Sequence, residues 1–160
     1  MKRCGGSFKG LIGECMLKLT RNDLVITKFF NKQKYLSVFD NYLSDKQKQF
    51  LLENWYSVDG IELQFDSGYK QIILFEIKTR NRYYPDKKFK PKMTLRTHEI
   101  YNKSREFGFM PVIATVWLEE NWNFDIELTE FDEKYYCIDK PKPYDSARGQ
   151  TSLFPRHNLE

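Results

Sequence analysis

VDGIELQFDSGYKQIILFEIK, residues 58–78, sets two runs of alternating apolar and polar residues on either side of Asp66-Ser67-Gly68. Alternation with a period of two is the mark of strands that bury one face, and Asp-Ser-Gly supplies the chemistry that reverses a chain. The stretch is predicted to be a β-hairpin. In its first arm Asp59, Ile61, Leu63 and Phe65 share a face; in its second Ile72, Leu74, Glu76 and Lys78 do. Each apolar stripe therefore ends in charge. A solvated carboxylate belongs on the polar face, so acids in line with the buried one point to a site at the rim of the sheet.

Working outward, residues 10–20 (GLIGECMLKLT) place Leu11, Ile12, Cys15, Met16 and Leu19 at helical spacing, with Glu14 among them. Residues 23–30 read equally as strand or as continued helix. Residues 45–55 read as a helix capped by Ser44 or Asp45. Downstream of the hairpin, residues 80–91 are a loop rich in Tyr, Pro and Lys. Residues 94–107 (TLRTHEIYNKSREF) form a predicted helix with Thr94 as N-cap and Gly108 beyond its end. The run MPVIATVWL, residues 110–118, is that of a buried central strand, and Trp122, Phe124, Ile126 and Leu128 alternate as a further strand. The expected class is α/β, a central mixed sheet flanked by helices in one domain over residues 1–140, with 141–160 an irregular C-terminal tail.

The 160 residues are 41% hydrophobic and 30% charged, as in an ordinary globular chain. No apolar run approaches the roughly 18 residues that span a bilayer, and MKRCGGSFKG lacks the apolar core of a signal peptide, so no membrane partner and a cytoplasmic location are expected. Cys4, Cys15 and Cys137 form neither a disulfide framework nor a CxxC clip, and His98 and His157 are the sole histidines. A metal would have to be held by carboxylates, which favours Mg2+ or Mn2+. Charge is uneven: residues 78–105 hold ten Lys or Arg against Asp86 and Glu99, whereas residues 114–139 hold eight acids against Lys134. A basic stretch carrying Tyr83, Tyr84 and Phe89 can neutralise phosphates and stack on bases, and can equally be a solvated loop.

Glu76-Ile77-Lys78 at a strand end, with Asp59 on the neighbouring arm, is the constellation that carries chemistry. Two carboxylates on adjacent strands can converge on a divalent cation, with the Ile77 carbonyl as a neutral third ligand. Lys78 shares the face of Glu76, where it can orient an attacking water and offset developing charge. This arrangement resembles the PD-(D/E)xK nuclease superfamily, and the order of parts is most similar to the archaeal Holliday-junction resolvase branch: Lys9-Gly10 followed by Glu14, Asp59 in VDGIEL, Glu76 and Lys78 in ILFEIKTR, then SREFGFMPVIATVWL and WNFDIEL. The resemblance runs in short matches over residues 8–128. The segment between Glu14 and Asp59 is longer than a minimal resolvase has, and Ser57-Val58 stands where a proline often precedes the aspartate.

The resemblance implies a restriction-endonuclease-like core and a Mg2+-dependent endonuclease that hydrolyses phosphodiester bonds in DNA, branched or Holliday-junction DNA included, working as a homodimer. Asp59, Glu76, Lys78 and Glu14 are the expected catalytic residues; Asp59, Glu76 and Ile77 hold the metal; Lys9, Arg80, Arg82, Lys90 and Lys92 contact nucleic acid. His98 reads as a surface residue. The alternative is an inactive nucleic-acid-binding or protein-interaction module on the same fold.

Overall fold

The structure, a computed structural model, describes residues 5–82 and 90–139. The hairpin is present: β2 (Gly60–Asp66) pairs antiparallel with β3 (Tyr69–Asn81), from Asp66 opposite Tyr69 back to Gly60 opposite Phe75. Ser67 and Gly68 make the turn with φ of 46° and 87°, the left-handed pair that a two-residue hairpin loop requires. A short strand β1 (Val25–Ile26) borders β2, resolving in part the ambiguity over residues 23–30; a single 3-10 turn, Thr27–Phe29, follows it. On the other side β3 runs parallel to β5 (Phe109–Leu118), which pairs antiparallel with β6 (Phe124–Glu130). The central sheet is thus mixed, in the order β1-β2-β3-β5-β6.

Helices cover both faces. α1 (Gly5–Thr20) lies over Ile73, Phe75 and Ile77 of β3 and Val112, Ala114 and Val116 of β5, with Leu17 at the centre of the contact. Its approach is close at Gly13, where a Cβ would stand 1.8 Å from Thr79 Oγ1. The opposite face, Ile61, Leu63, Ile72, Leu74 and Ile113, is covered by α2 (Lys32–Val38), α3 (Asp45–Asn54) and α4 (Leu95–Ser104), with Trp55 and Phe131 filling the layer. The alternation that predicted the hairpin therefore serves two cores. Odd and even positions of β3 are both buried because it is a central strand.

Local signals act where the sequence places them. Ser44 caps α3, its side chain accepting from the Gln47 N–H while the Gln47 side chain accepts from the Ser44 N–H, a reciprocal capping box. Thr94 caps α4, and Gly108 ends the following 3-10 turn at φ 81°, a conformation only glycine takes without cost. Three expectations differ in detail. β3 continues through Asn81, so the loop begins later than residue 80. β4 (Lys92–Thr94) and β7 (Cys137–Asp139) form a small parallel sheet of their own. Trp122 lies outside β6, left-handed at φ 63° and exposed. The tail, residues 141–160, lies outside the described residues. Among those described, no helix is long and apolar enough to cross a membrane.

Candidate active site at the open end of the hairpin

The two arms of the hairpin are unequal. Pairing between β2 and β3 stops at Gly60–Phe75, yet β3 runs on to Asn81 supported by β5. Beyond Phe75, no strand among the described residues borders the edge of β3 that faced β2. Asp59, the residue before β2, takes up that role: its Oδ2 accepts the Ile77 N–H at 2.8 Å. A strand residue sends its N–H and C=O to the same edge, so the Ile77 carbonyl leaves β3 on the side of the Asp59 carboxylate. The backbone of Asp59 is fixed as well, its carbonyl accepting from the Thr27 N–H at 3.0 Å.

Glu76 and Lys78 follow on β3, facing α4. Glu76 is buried, 6% exposed, and Lys78 Nζ stands 2.7 Å from Glu76 Oε1. Under them lies Tyr101 of α4, fully buried. Its hydroxyl donates to the Phe75 carbonyl at 2.6 Å, accepts from the Asp59 N–H at 3.3 Å and lies against the Glu76 carboxyl. One phenol thus ties together both strands and both acids. Burial of such a ring requires a partner for its hydroxyl, and here the partners are the site itself.

Glu14 arrives from the opposite face. The helix that packs Gly13 onto Thr79 turns the next residue toward the rim, where Glu14 is 7% exposed. Its Oε2 is 2.5 Å from Lys28 Nζ on the 3-10 turn, a contact of charge rather than direction, since that oxygen takes part in no aligned hydrogen bond. Sequence reasoning missed Tyr101 and Lys28. For Tyr101 the readable signal was an aromatic residue on the apolar side of a well-capped helix; for Lys28 the sequence held none.

Burial governs the acid–base behaviour. It pushes the Glu76 carboxyl up to about 7, with the charge of Asp59 adding to the rise and Lys78 and Tyr101 opposing it. Burial also raises Asp59, while the Ile77 N–H, Lys78, Lys28 and a hydrogen bond from Glu76 pull it back. Glu14 is raised by burial against the pull of Lys28. Burial thus raises both Asp59 and Glu76 above the ordinary carboxylate range, and repulsion from Asp59 adds to the rise in Glu76.

The remaining residues expected at the site are more dispersed. Lys9 is partly buried on α1, its pKa lowered by burial and by the charge of Arg80. Arg80 is exposed on β3, and Lys90 and Lys92 are exposed near β4. Arg82 is engaged by Glu119 at 2.5 Å and Asp125 at 3.1 Å and lies over the Trp117 ring. Tyr83, Tyr84 and Phe89 lie outside the described residues. His98 is partly buried: it hydrogen-bonds Tyr136 at 2.8 Å and stands 3.6 Å from Glu133.

Among the described residues, no three His, Cys, Asp or Glu side chains converge as a metal-holding group. What is present is a carboxylate pair short of positive charge, beside a backbone carbonyl on an open strand edge. That donor set is all oxygen, and Mg2+ is commonly held by one or two carboxylates with water completing its shell. No family model matches the chain, and comparison with curated proteins and with solved structures likewise returns no match, so the functional reading rests on this geometry.

Proposed function

We propose that this chain is a Mg2+-dependent endonuclease of the PD-(D/E)xK type on a restriction-endonuclease-like core, hydrolysing phosphodiester bonds in DNA. The observation that carries the reading is the meeting of Asp59 and Glu76 at the unpaired end of the hairpin, with Lys78 beside them. Asp59, just ahead of β2, and Glu76 and Lys78 of β3 come together at one rim with Glu76 buried, and a merely solvated ExK tripeptide would not be so placed.

In this reading Asp59, Glu76 and the Ile77 carbonyl would hold the cation, which would supply Lewis acidity to a phosphoryl oxygen and lower the pKa of a water. Lys78, beside Glu76, would orient an attacking water and offset the charge that builds up on the phosphoryl group in the transition state. Tyr101 fixes the two acids relative to each other. Glu14 closes the rim from α1. Lys9 and Arg80, two cations whose charges reach each other, suit an anionic backbone passing over the end of β3. The site acids give up protons when a divalent cation binds, so cleavage should rise with pH through the neutral range.

The test is a panel of labelled duplex, single-stranded and four-way branched DNA, and RNA, incubated with Mg2+ or Mn2+ and the purified chain. Cleavage that disappears in Glu76→Ala and Lys78→Ala proteins of unchanged circular dichroism is the expected result. Salt-sensitive binding with no cutting in either metal would instead identify a non-cleaving nucleic-acid-binding module.

A further inference from the structure

We propose that Lys28 stands in for a second divalent cation, so that the site takes one metal ion and not two. This rests on the metal-site reading above and concerns its stoichiometry. The site brings three carboxylates, Glu14, Asp59 and Glu76, to one rim from three separate segments. Carboxylates so buried need countercharge. Glu76 has Lys78 at 2.7 Å, and Glu14 has Lys28 at 2.5 Å.

Lys28 is not a stray surface cation. The residue before it is locked to the Asp59 segment: the Thr27 N–H donates to the Asp59 carbonyl at 3.0 Å, the Thr27 hydroxyl donates to the Val58 carbonyl, and the Thr27 carbonyl accepts from Trp55 Nε1 at 3.0 Å. The 3-10 turn carrying Lys28 is thereby fixed to the backbone that carries Asp59. Its ammonium reaches Glu14 on one side while its charge favours ionised Asp59 on the other.

Charge leads to the same conclusion. With all three acids ionised, two ammonium groups leave the rim one unit negative. One divalent ion reverses that sign, and a second, about 4 Å away in a two-metal arrangement, would meet both the first ion and the Lys28 ammonium. The Glu14 carboxylate, paired to Lys28, also fails to join Asp59 and Glu76 as a three-acid group among the described residues. Glu14 therefore orients the built-in cation instead of ligating a free one.

The experiment is Mn2+ binding to the full chain, read as bound ions per chain from the loss of free Mn2+ resonance signal. One ion per chain is expected for the parent, none in Asp59→Asn, and one still in Glu14→Gln. Lys28→Met removes the ammonium that pairs with Glu14 and lies over the Phe29 ring; it is expected to bind the first ion more tightly and to take up a second. Two ions in the parent, or a Lys28→Met protein that folds and still saturates at one, overturns the inference and leaves the metal site standing. A folded parent that binds no Mn2+ overturns both.

Discussion

Replacing Glu76 by Gln should stabilise the metal-free protein, and by an amount that depends on pH. Glu76 has its carboxyl raised to about 7 from an ordinary 4.5. The folded state thus holds a proton that the unfolded chain releases, and the stability this gives is fully present below pH 4.5 and lost as pH rises through about 7. A neutral Gln of the same shape escapes that loss. At roughly 1.4 kcal/mol per pKa unit, the variant gains about 3 kcal/mol over the parent at pH 8 and less than about 1 kcal/mol at pH 5. For a chain of this size about 1 kcal/mol corresponds to a Tm change of about 2–4 °C. Thermal melts in chelator should therefore separate the two proteins by roughly 6–12 °C at pH 8 and bring them nearly together at pH 5. Adding Mg2+ at pH 8 should raise the parent Tm and leave Glu76→Gln unmoved, since binding of a ligand to the native state alone stabilises it. A Gln variant that melts below the parent by the same margin at both pH values would refute the account of Glu76 as an acid strained by burial and by Asp59.

Lys78→Ala should lower single-turnover cleavage by at least about 100-fold while DNA affinity in Ca2+ changes little, because the ammonium acts on charge that develops only in the transition state. Tyr101→Phe leaves the buried Asp59 N–H and Phe75 carbonyl without their hydroxyl and should cost about 1–3 kcal/mol in urea unfolding. It should also weaken Mn2+ binding, a readout that lost packing alone would not move. Gly13→Ala places a methyl 1.8 Å from Thr79 Oγ1 and 2.9 Å from its Cβ. The expected loss is about 1–3 kcal/mol, and Thr79→Ala in the same chain should return part of it, measured as a double-mutant cycle.

The features that could be read in the sequence are those whose physics is local. The Asp66-Ser67-Gly68 turn, the Ser44–Gln47 capping box, the Thr94 cap and the Gly108 stop each depend on residues within a few positions, and each is present. The hairpin register followed from alternation because a slip by one residue would turn every apolar side chain outward. It brought Asp59 and Glu76 to one rim without any knowledge of the rest of the chain. What stayed hidden depends on distant pairing. β4 and β7 are three residues each and separated by some forty, too short to carry a period. Arg82 reads as a phosphate contact until Glu119 and Asp125 fold beside it. Lys28 and Tyr101 join the site from turns and helices whose docking no spacing within residues 58–78 encodes.

The unequal arms of the hairpin have a practical consequence. β2 spans seven residues, so the Ser67–Gly68 tip stands about 24 Å from the end where Asp59 begins. Ser67 is exposed, whereas Gly68, at φ 87°, is a position where any side chain would be strained, so Ser67 is the residue to replace. The tip is thus a place to attach a fluorophore, an affinity handle or a second binding module, rigidly connected to the chemistry through two paired strands and too far away to disturb it.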